Sequence, residues 1–345
     1  MNPSLLPVAQ SAPYRDALAQ CVDHWGFQPS KTQLVRDGVN HVFATESKQG
    51  DPVIIRVSDG ATRERGEIEG ELLWLDHLKR HGCTVSTPVR SKNDQLLESI
   101  DLEAGTFHVS CFERFGGRLL DPKVDREWND DLFLTLGRAV GKMHRISDAF
   151  ELPADKNRKP WFESDLSRFP EPLPDTFDPD VCATMIAFTD EMRARPTLPR
   201  HYGLVHRDLH SGNFLFEDGE VELIDFDLGC YGWRAMDFAV LLFGHYFYPS
   251  HRVADASPAR AGEVLATLVR GYRDEYEIDF EQLELIDDLL RLRSILNYIA
   301  TAPAPQHWQV AMGDPHPTVS ESVAWVEDLW RGNPELRVDL DKVQA

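Results

Sequence analysis

The sequence has few basic residues compared with its acidic residues. There are 36 Lys and Arg side chains against 57 Asp and Glu, which gives a formal net charge of -21. Binding to nucleic acid or to an anionic membrane requires a basic surface that neutralises phosphate groups. The composition therefore argues against both kinds of partner. An acidic surface serves solubility, and it would also attract a cationic acceptor.

Cysteines are also few, and long apolar runs are missing. The five cysteines are scattered and include no Cys-x-x-Cys pair, so neither a zinc knuckle nor a disulfide framework is indicated. No apolar stretch approaches the roughly 20 residues of a membrane helix, and the first residues do not resemble a signal peptide. We expect free thiols, a cytoplasmic location and no membrane partner. The oligomeric state leaves no trace in the sequence.

The first third of the chain combines strand-like runs with one amphipathic helix. The strand-like runs lie at residues 32–35, 39–44, 52–57, 96–99 and 107–112. The first two are joined at Asp37-Gly38, a dipeptide typical of hairpin turns. Apolar residues recur at helical spacing between Glu67 and Leu78, and Gly82 ends that pattern. This part predicts a small antiparallel sheet with one helix.

The rest of the chain is predicted to be mainly helical. Helical patterns cover residues 131–147, 185–195, 261–276 and 280–300. Residues 151–180 are rich in proline and acidic residues, which predicts a long irregular segment that could act as a lid or substrate loop. With a hinge at Gly116-Gly117, the pattern predicts an α+β fold with a β-rich lobe at 1–115 and a helical lobe at 116–345.

Polar residues are concentrated in two loops between residues 203 and 240. The first loop reads His206-Arg207-Asp208-Leu209-His210-Ser211-Gly212-Asn213, and the second reads Ile224-Asp225-Phe226-Asp227. A turn at Glu217-Asp218-Gly219 separates them. Since apolar runs flank both loops, the segment predicts a β-loop-β-turn-β unit.

Phosphoryl transfer from ATP·Mg2+ explains the residue types in these loops. The acceptor hydroxyl must be oriented and must lose a proton, which is a task for a carboxylate such as Asp208. Magnesium prefers hard oxygen ligands, which Asn213 and Asp225 could supply. A catalytic Asp, an Asn five residues later and then a metal-binding Asp is the order of parts in kinases. A single Asp or Asn in a loop is usually a turn former, but the joint pattern favours the kinase hypothesis.

A different chemistry is possible for some of the same residues. His206, Asp208 and His210, together with Asp225 and Asp227, could be ligands of a hydrolytic zinc, iron or manganese centre. That hypothesis gives Asn213 and the hairpin no task.

The two loops, followed by Asp237-Phe238-Ala239, resemble the aminoglycoside phosphotransferase/choline kinase family. The resemblance covers about residues 30 to 300. It implies a protein-kinase-like two-lobed fold, with ATP and Mg2+ as cofactors and a small-molecule hydroxyl of the aminoglycoside, choline or homoserine type as acceptor. The family also contains a bacterial stress-response kinase that acts on protein serine and threonine. A Ser/Thr protein kinase of that type is therefore the alternative, and a nucleotide-binding protein without transfer activity is a third hypothesis.

The resemblance also implies roles for single residues of the two loops. Asp208 would be the catalytic base, and Asn213 and Asp225 would be magnesium ligands, with Asp227 as a possible further ligand. His210 would pack the loop. Asp237 would either brace the catalytic loop or simply cap a helix.

In the β-rich lobe the resemblance is weaker. Arg56 stands on the third strand where protein kinases have a lysine, and Glu71 is its expected partner, with Glu67 as second choice. The backbone amides of Gly38 and Asn40 could bind nucleotide phosphates or belong to an ordinary turn. Residues 111–115, with Glu113 and Phe115 at the end, are expected to meet the adenine edge.

Four further side chains could form part of an acceptor pocket. They are Trp161, Tyr231, Trp233 and His245. The same residues could as well be core aromatics. This interpretation is favoured, because aromatic side chains usually bury their large apolar surface in the core.

Overall fold

The computed structural model describes residues 12–36, 38, 40–156, 158–163, 168–302, 319–332 and 336–344. These residues belong to two compact units. The β-rich unit contains the chain up to residue 117 together with residues 149–158 and 222–227. The helical unit contains residues 118–148, 159–221 and 228–345. Asp37 of the predicted turn and Val39 of the predicted second strand lie outside the described residues.

A six-stranded antiparallel sheet forms most of the β-rich unit. Its strands are β1 (Gln33–Arg36), β2 (Asn40–Glu46), β3 (Pro52–Asp59), β4 (Pro88–Val89), β5 (Leu97–Leu102) and β6 (Gly105–Glu113). The strand order is β1-β2-β3-β6-β4, and β5 also pairs with β6. Ile55 on β3 faces Cys111 on β6 in the register, and both are buried. Alternate residues of β3 thus supply the centre of the core, as the period of a strand requires.

Three helices belong to the same unit, of which the sequence indicated one. They are α1 (Ala12–Gln20), α2 (Val22–Trp25) and α3 (Arg65–Arg80). Helix α3 confirms the predicted amphipathic helix, and Gly82 after it has a left-handed φ of 86°, which a glycine adopts without steric cost. Helices α1 and α2 are short, and α1 buries only Ala17 and Leu18, so their apolar periodicity is too weak to detect.

The helical unit contains the remaining described helices. They are α4 (Asp130–Ser147), α5 (Pro179–Ala194), α6 (Met236–Leu242), α7 (Pro258–Arg273), α8 (Phe280–Leu283), α9 (Ile286–Thr301), α10 (Val319–Trp330) and α11 (Asp341–Gln344). A π-helical turn, Phe243–Phe247, follows α6 directly. The single helix predicted at 280–300 is instead two helices, α8 and α9. No Gly or Pro marks the break between them, so the apolar pattern continues across it.

Four short strands carry the two polar loops. Strand β7 (Tyr202–Val205) pairs antiparallel with β10 (Cys230–Trp233), and β8 (Phe214–Glu217) pairs with β9 (Glu220–Leu223). At the turn between β8 and β9, Asp218 and Gly219 have φ values of 50° and 88°. Positive φ at both central residues is what a tight hairpin turn requires. The predicted β-loop-β-turn-β unit is therefore confirmed.

Helices α4 and α7 approach each other closely through glycines. A Cβ atom at Gly137 would lie 2.1 Å from the carbonyl oxygen of Leu268, and one at Gly271 would lie 2.1 Å from that of Leu134. Only residues without a side chain allow the two backbones this separation. The contact matters for the site because α4 and α7 carry His144 and Tyr272, which are described below.

Across the described part of the chain, no helix combines the length and apolar character needed to cross a membrane.

Candidate active site

The loop that joins β7 to β8 is held by a buried carboxylate. Asp237, in the first turn of α6, accepts hydrogen bonds from the backbone N–H groups of His206 (3.0 Å) and Arg207 (2.6 Å). Arg207 has a left-handed φ of 66°, so the chain turns sharply at this point. The N-cap residue of α6 is Ala235, and no side chain caps this helix end. Of the two roles considered for Asp237, the geometry supports bracing of the loop.

Asp237 is itself oriented by a histidine from α4. His144 Nε2 lies 3.1 Å from Asp237 Oδ2, and its Nδ1 lies 3.0 Å from the hydroxyl of Tyr272 on α7. Burial lowers the pKa of His144, so the neutral ring donates from Nε2 and accepts the tyrosine O–H at Nδ1. Burial alone would raise the pKa of Asp237, but hydrogen bonds from His144 and the loop backbone hold it below its ordinary value.

Asp208 lies within this loop and has two positively polarised partners. Its Oδ1 lies 2.8 Å from Nη2 of Arg293 on α9, and its Oδ2 accepts a 2.9 Å hydrogen bond from Asn213 Nδ2. The side chain retains 17% exposure. Burial raises the pKa of Asp208, but the charges of Arg293 and His210 outweigh it, so that this pKa falls far below its ordinary value. Asp208 is therefore an ionised, oriented carboxylate at neutral pH.

Asn213 offers an oxygen atom to a cation. Its Nδ2 donates to both the backbone oxygen (2.8 Å) and Oδ2 of Asp208, which fixes the orientation of the amide. Its Oδ1 is buried and has no hydrogen-bond partner among the described residues. Buried oxygens without a partner are uncommon, because desolvating them costs free energy. A divalent cation that prefers oxygen ligands would satisfy this atom, so the residue fits the expected metal.

Two further histidines stabilise the same loop. His210 Nδ1 accepts a 3.0 Å hydrogen bond from the backbone N–H of Gly212, and its Nε2 lies 3.6 Å from Asp208 Oδ2. The second, His245 in the π-helical turn, accepts a 3.1 Å hydrogen bond at Nε2 from the backbone N–H of Ser211. No sequence pattern connects His245 with the loop, because the π-helical turn that positions it has no recognisable signature.

The second polar loop belongs to the β-rich unit, where arginines bind both of its acids. Asp225 has a left-handed φ of 63°. Its carboxylate forms a 2.7 Å ion pair with Arg36 at the end of β1. Asp227 pairs with Arg63 and accepts a 3.2 Å hydrogen bond from Asn40 Nδ2. Arg36 and Arg63 were not identified from the sequence, since an arginine near a turn or a helix start carries no specific signal.

Arg56 and Glu71 form the ion pair that was expected between β3 and α3. The guanidinium Nη1 and Nη2 lie 2.8 and 2.9 Å from the two carboxylate oxygens, and both side chains are buried. Burial would lower the pKa of Arg56, but Glu71, Asp227 and Asp225 raise it. Glu67, the second choice, is not the partner in this pair. The guanidinium also lies 5.2 Å from the ring centre of Phe112.

The remaining nucleotide-site candidates lie at or near the ends of the internal strands β2 and β6. Gly38 is exposed, and Asn40 accepts a 2.7 Å hydrogen bond from Ser58 at its Oδ1. Glu113 ends β6, and its backbone N–H is already donated to the oxygen of Thr87 at 2.9 Å. Phe115 follows the strand and is half-buried.

A small cavity in the helical unit lies beside the loop that joins β7 to β8. Its volume is about 30 Å³, and it is lined by Trp161, Thr189, Arg207, Met236, Val240, Leu289, Leu292, Arg293, Ile295 and Leu296. Of the four aromatic candidates for an acceptor pocket, only Trp161 lines it. Trp233 is buried against Trp161 and Tyr202, with ring centres 5.6 and 5.8 Å away. Trp233 is thus a core aromatic, and Tyr231 and His245 lie outside the lining.

The competing hydrolytic metal centre finds no support in the helical unit. His206, Asp208 and His210 do not offer three ligand atoms within 4.8 Å of one another, whereas His201, Asp279 and Glu281 do so elsewhere in the described chain. In that second group Arg200 already lies 3.2 Å from Asp279 and 3.5 Å from Glu281, which makes it an ion-pair network.

An ionised, oriented carboxylate and a buried amide oxygen without a partner among the described residues, both on one loop, form a site suited to phosphoryl transfer with a divalent cation. The chain belongs to the phosphotransferase enzyme family, whose model matches residues 31–286. The predicted family and the predicted enzyme class, an ATP-dependent kinase that acts on an alcohol group, are confirmed by this membership and by the kinases described next.

Similar proteins are kinases of small molecules. The chain is 32% identical to the amicoumacin kinase of Bacillus subtilis (strain 168) over 284 residues, which are 81% of this chain and 82% of that protein. Among solved structures, the amicoumacin kinase hAmiN in complex with AMP-PNP, Ca2+ and Ami has a TM-score of 0.83 and 27% identity, covering 94% and 96% of the two chains.

A second solved structure agrees with the fold. The microcompartment-associated aminopropanol kinase has a TM-score of 0.69 at 22% identity, and the match covers 93% of this chain and 98% of that chain. The predicted protein-kinase-like α+β fold is therefore confirmed.

Proposed function

We propose that this protein transfers the γ-phosphoryl group of ATP·Mg2+ to a hydroxyl group of an amicoumacin-type small molecule. The observation that carries the proposal is the pair formed by Asp208 and Asn213, in which one amide orients the carboxylate and keeps its own oxygen free. The similarity to amicoumacin kinases over most of both chains supports the acceptor type. A Ser/Thr protein kinase has no comparable support among these relatives.

In the proposed reaction, Asp208 binds and orients the acceptor hydroxyl and receives its proton. Since the pKa of Asp208 lies far below neutrality, this carboxylate is a weak base, and its main contribution is orientation. Phosphoryl transfer through a loose transition state requires little proton removal before the bond forms, so a weak base is sufficient. Arg293 and Asn213 keep the two carboxylate oxygens in place.

The nucleotide and its metal are assigned to residues of both polar loops. Asn213 and Asp225 would hold Mg2+, with Asp227 as a further ligand, and the ion would neutralise charge on the phosphates.

Arg56, fixed by Glu71, would bind a phosphate group, and the amides of Gly38 and Asn40 would lie against the phosphates. Glu113 and Phe115 would meet the adenine.

We also assign residues 1–115 to nucleotide binding and residues 116–345 to catalysis and acceptor binding. We further propose that the protein is cytoplasmic and has no nucleic-acid or membrane partner.

An acceptor panel tests the function. ADP formation from ATP·Mg2+ is measured with amicoumacin, homoserine, choline, 1-amino-2-propanol, an aminoglycoside and a generic protein substrate. We expect stimulation by amicoumacin and loss of that stimulation in Asp208→Asn. Stimulation by the protein substrate alone would refute the small-molecule proposal.

The metal assignment is tested by binding and does not need turnover. Calorimetric titration with AMP-PNP at increasing Mg2+ should show that Asn213→Ala and Asp225→Ala weaken the Mg2+-dependent part of nucleotide affinity. The control Asp190→Asn changes an exposed residue of α5 and should bind like the native protein. Unchanged Mg2+ dependence in both Ala variants would remove these residues from the metal site.

A further inference from the structure

The ring of His210, two positions after Asp208, is fixed on one side by the backbone of its own loop. Its Nδ1 accepts a 3.0 Å hydrogen bond from the backbone N–H of Gly212. A Cβ atom at Gly212 would lie 2.8 Å from Cε1 of this ring and 3.0 Å from its Nδ1, so a glycine is needed for the imidazole to lie this close to the backbone. Because Nδ1 accepts an N–H group, the ring carries its proton on Nε2.

The Nε2 atom of His210 lies beside Asp208 and remains open to solvent. It is 3.6 Å from Asp208 Oδ2, which is too far for a direct hydrogen bond. It makes no hydrogen bond to a described residue and is not one of their buried unpartnered atoms, so solvent reaches it. The His210 side chain as a whole keeps 33% exposure.

Asp208 offers one of its two oxygens to an incoming group. Its Oδ1 is buried beside Nη2 of Arg293, at 2.8 Å. Its Oδ2 accepts a 2.9 Å hydrogen bond from Asn213 Nδ2, and a carboxylate oxygen can accept a second hydrogen bond. The oxygen available to an acceptor hydroxyl is therefore Oδ2, which is also the one beside His210.

From this geometry we propose that the acceptor hydroxyl binds between His210 and Asp208, and that His210 makes the site selective for a hydroxyl over an ammonium group. The hydroxyl donates its proton to Asp208 Oδ2 and accepts the Nε2–H of His210. An oxygen atom at the usual hydrogen-bond length of about 2.8 Å from both atoms fits a separation of 3.6 Å. A hydroxyl group both donates and accepts, whereas an ammonium group has no lone pair for the Nε2–H donor.

His210 is then a catalytic residue that holds the reacting oxygen, in addition to its contact with the loop. It keeps its own proton throughout, and the hydroxyl proton goes to Asp208. Because transfer through a loose transition state depends more on positioning than on a strong nucleophile, a hydrogen bond to the attacking oxygen is compatible with the reaction. The inference rests on the proposed function, since it takes Asp208 to be the residue that receives the hydroxyl.

Two amide variants separate the contact with the acceptor from the contact with the loop. The side-chain oxygen of His210→Asn can take the position of Nδ1 and keep the hydrogen bond from Gly212, but no atom of this side chain reaches the position of Nε2. The amide N–H of His210→Gln reaches the position of Nε2 but leaves the Gly212 N–H without its acceptor.

The full chain is tested with amicoumacin and with an amino analogue in which –NH3+ replaces the hydroxyl that the native protein phosphorylates. Turnover gives kcat/KM for amicoumacin, and calorimetry in the presence of Mg2+ and AMP-PNP gives the affinity for each compound. The control His81→Asn changes an exposed histidine that follows α3 and should behave like the native protein.

We expect His210→Asn to lose about 10-fold in kcat/KM, as the loss of one hydrogen bond to the substrate predicts, and His210→Gln to keep most of it. The ratio of the affinities for amicoumacin and the amino analogue should fall by a similar factor in His210→Asn and stay near the native ratio in His210→Gln. A purely structural role would weaken both compounds equally and leave this ratio unchanged.

The outcomes separate this inference from the proposed function. Activity of His210→Asn equal to or above that of His210→Gln, or an unchanged affinity ratio in His210→Asn, would overturn the inference and leave His210 as a residue that holds the loop. Absence of amicoumacin phosphorylation by the native protein would instead contradict the proposed function, and the inference with it.

Discussion

The guanidinium of Arg293 lies 2.8 Å from the carboxylate of Asp208, although the two residues are 85 positions apart in the chain. This ion pair sets the protonation state of the proposed base. Burial raises the pKa of Asp208, yet the Arg293 charge lowers it well below the ordinary value. The active carboxylate is therefore expected to remain ionised throughout the pH range in which the protein is folded.

Removal of this charge should change the pH dependence of the enzyme. In Arg293→Met the pKa of Asp208 rises, because burial is then opposed only by the histidines. The native enzyme should therefore show no loss of kcat/KM from protonation of Asp208 between pH 4.5 and 8, whereas Arg293→Met should show such a loss at the acidic end of this range. Kinetics of both proteins between pH 4.5 and 8, roughly the range of maximal stability for most proteins, test this difference. An identical pH profile of kcat/KM in both proteins would show that Arg293 does not control Asp208.

His245 should influence turnover through the backbone of the catalytic loop. Burial lowers the pKa of His245 well below its ordinary value, so its neutral Nε2 accepts the hydrogen bond from Ser211. His245→Ala removes the partner of the partly buried Ser211 N–H, which loosens the loop that holds Asp208 and should lower kcat roughly 10-fold or more.

A pair of amide variants distinguishes this role from simple packing. The side-chain oxygen of His245→Gln can reach the position of Nε2, whereas that of His245→Asn cannot. We expect Gln to restore most of kcat and Asn to resemble Ala, with nucleotide affinity similar in all three. Equal activities of the Gln and Asn variants would argue that His245 only fills space.

The close contact between α4 and α7 should not tolerate a methyl group. Gly137→Ala and Gly271→Ala would place Cβ atoms 2.1 Å from backbone oxygens of the opposite helix. Such overpacking typically costs about 1–3 kcal/mol in the free energy of unfolding. Gly66→Ala in α3 is the control, because its Cβ would lie 3.6 Å from the nearest atom, the oxygen of Asp155. Urea denaturation should show losses for the first two variants, and comparable stability of all three would contradict the packing.

Glu222 should make the stability of the protein depend on pH. Burial raises its pKa from 4.5 to about 7, with Lys79 lowering and Glu113 raising it further. The folded pKa exceeds the unfolded value, so the favourable contribution of the protonated form is present below pH 4.5 and is lost as pH rises through 7. Native protein should thus lose about 1–3 kcal/mol relative to Glu222→Gln on going from pH 5 to pH 8. Urea denaturation of both proteins at the two pH values measures this difference. The same change in the free energy of unfolding in both proteins would contradict the prediction.

The fold and the local motifs could be predicted because they depend on short-range patterns. Strand alternation, helical periodicity in α3, α4 and α7, and the fixed offset between Asp208 and Asn213 are all visible in neighbouring residues. The residues that support the site could not be predicted in the same way. Arg293, His144 and His245 lie far from the loop in sequence, and only the packing of α4, α9 and the π-turn brings them to it.

The break between α8 and α9 and the two helices before the sheet were missed for a related reason. Glu284 and Leu285 separate α8 from α9 without a glycine or proline, so tertiary packing ends the helix where local propensity does not.

The central claim is that Asp208 is the acceptor-orienting base of a small-molecule kinase. Its most direct test is the turnover number of Asp208→Asn with the stimulating acceptor, measured together with calorimetric affinity for AMP-PNP·Mg2+, and compared with Asp190→Asn. The account predicts that Asp208→Asn binds nucleotide like the native protein but loses at least about 100-fold in kcat, while Asp190→Asn loses neither. Near-native turnover in Asp208→Asn would contradict the account.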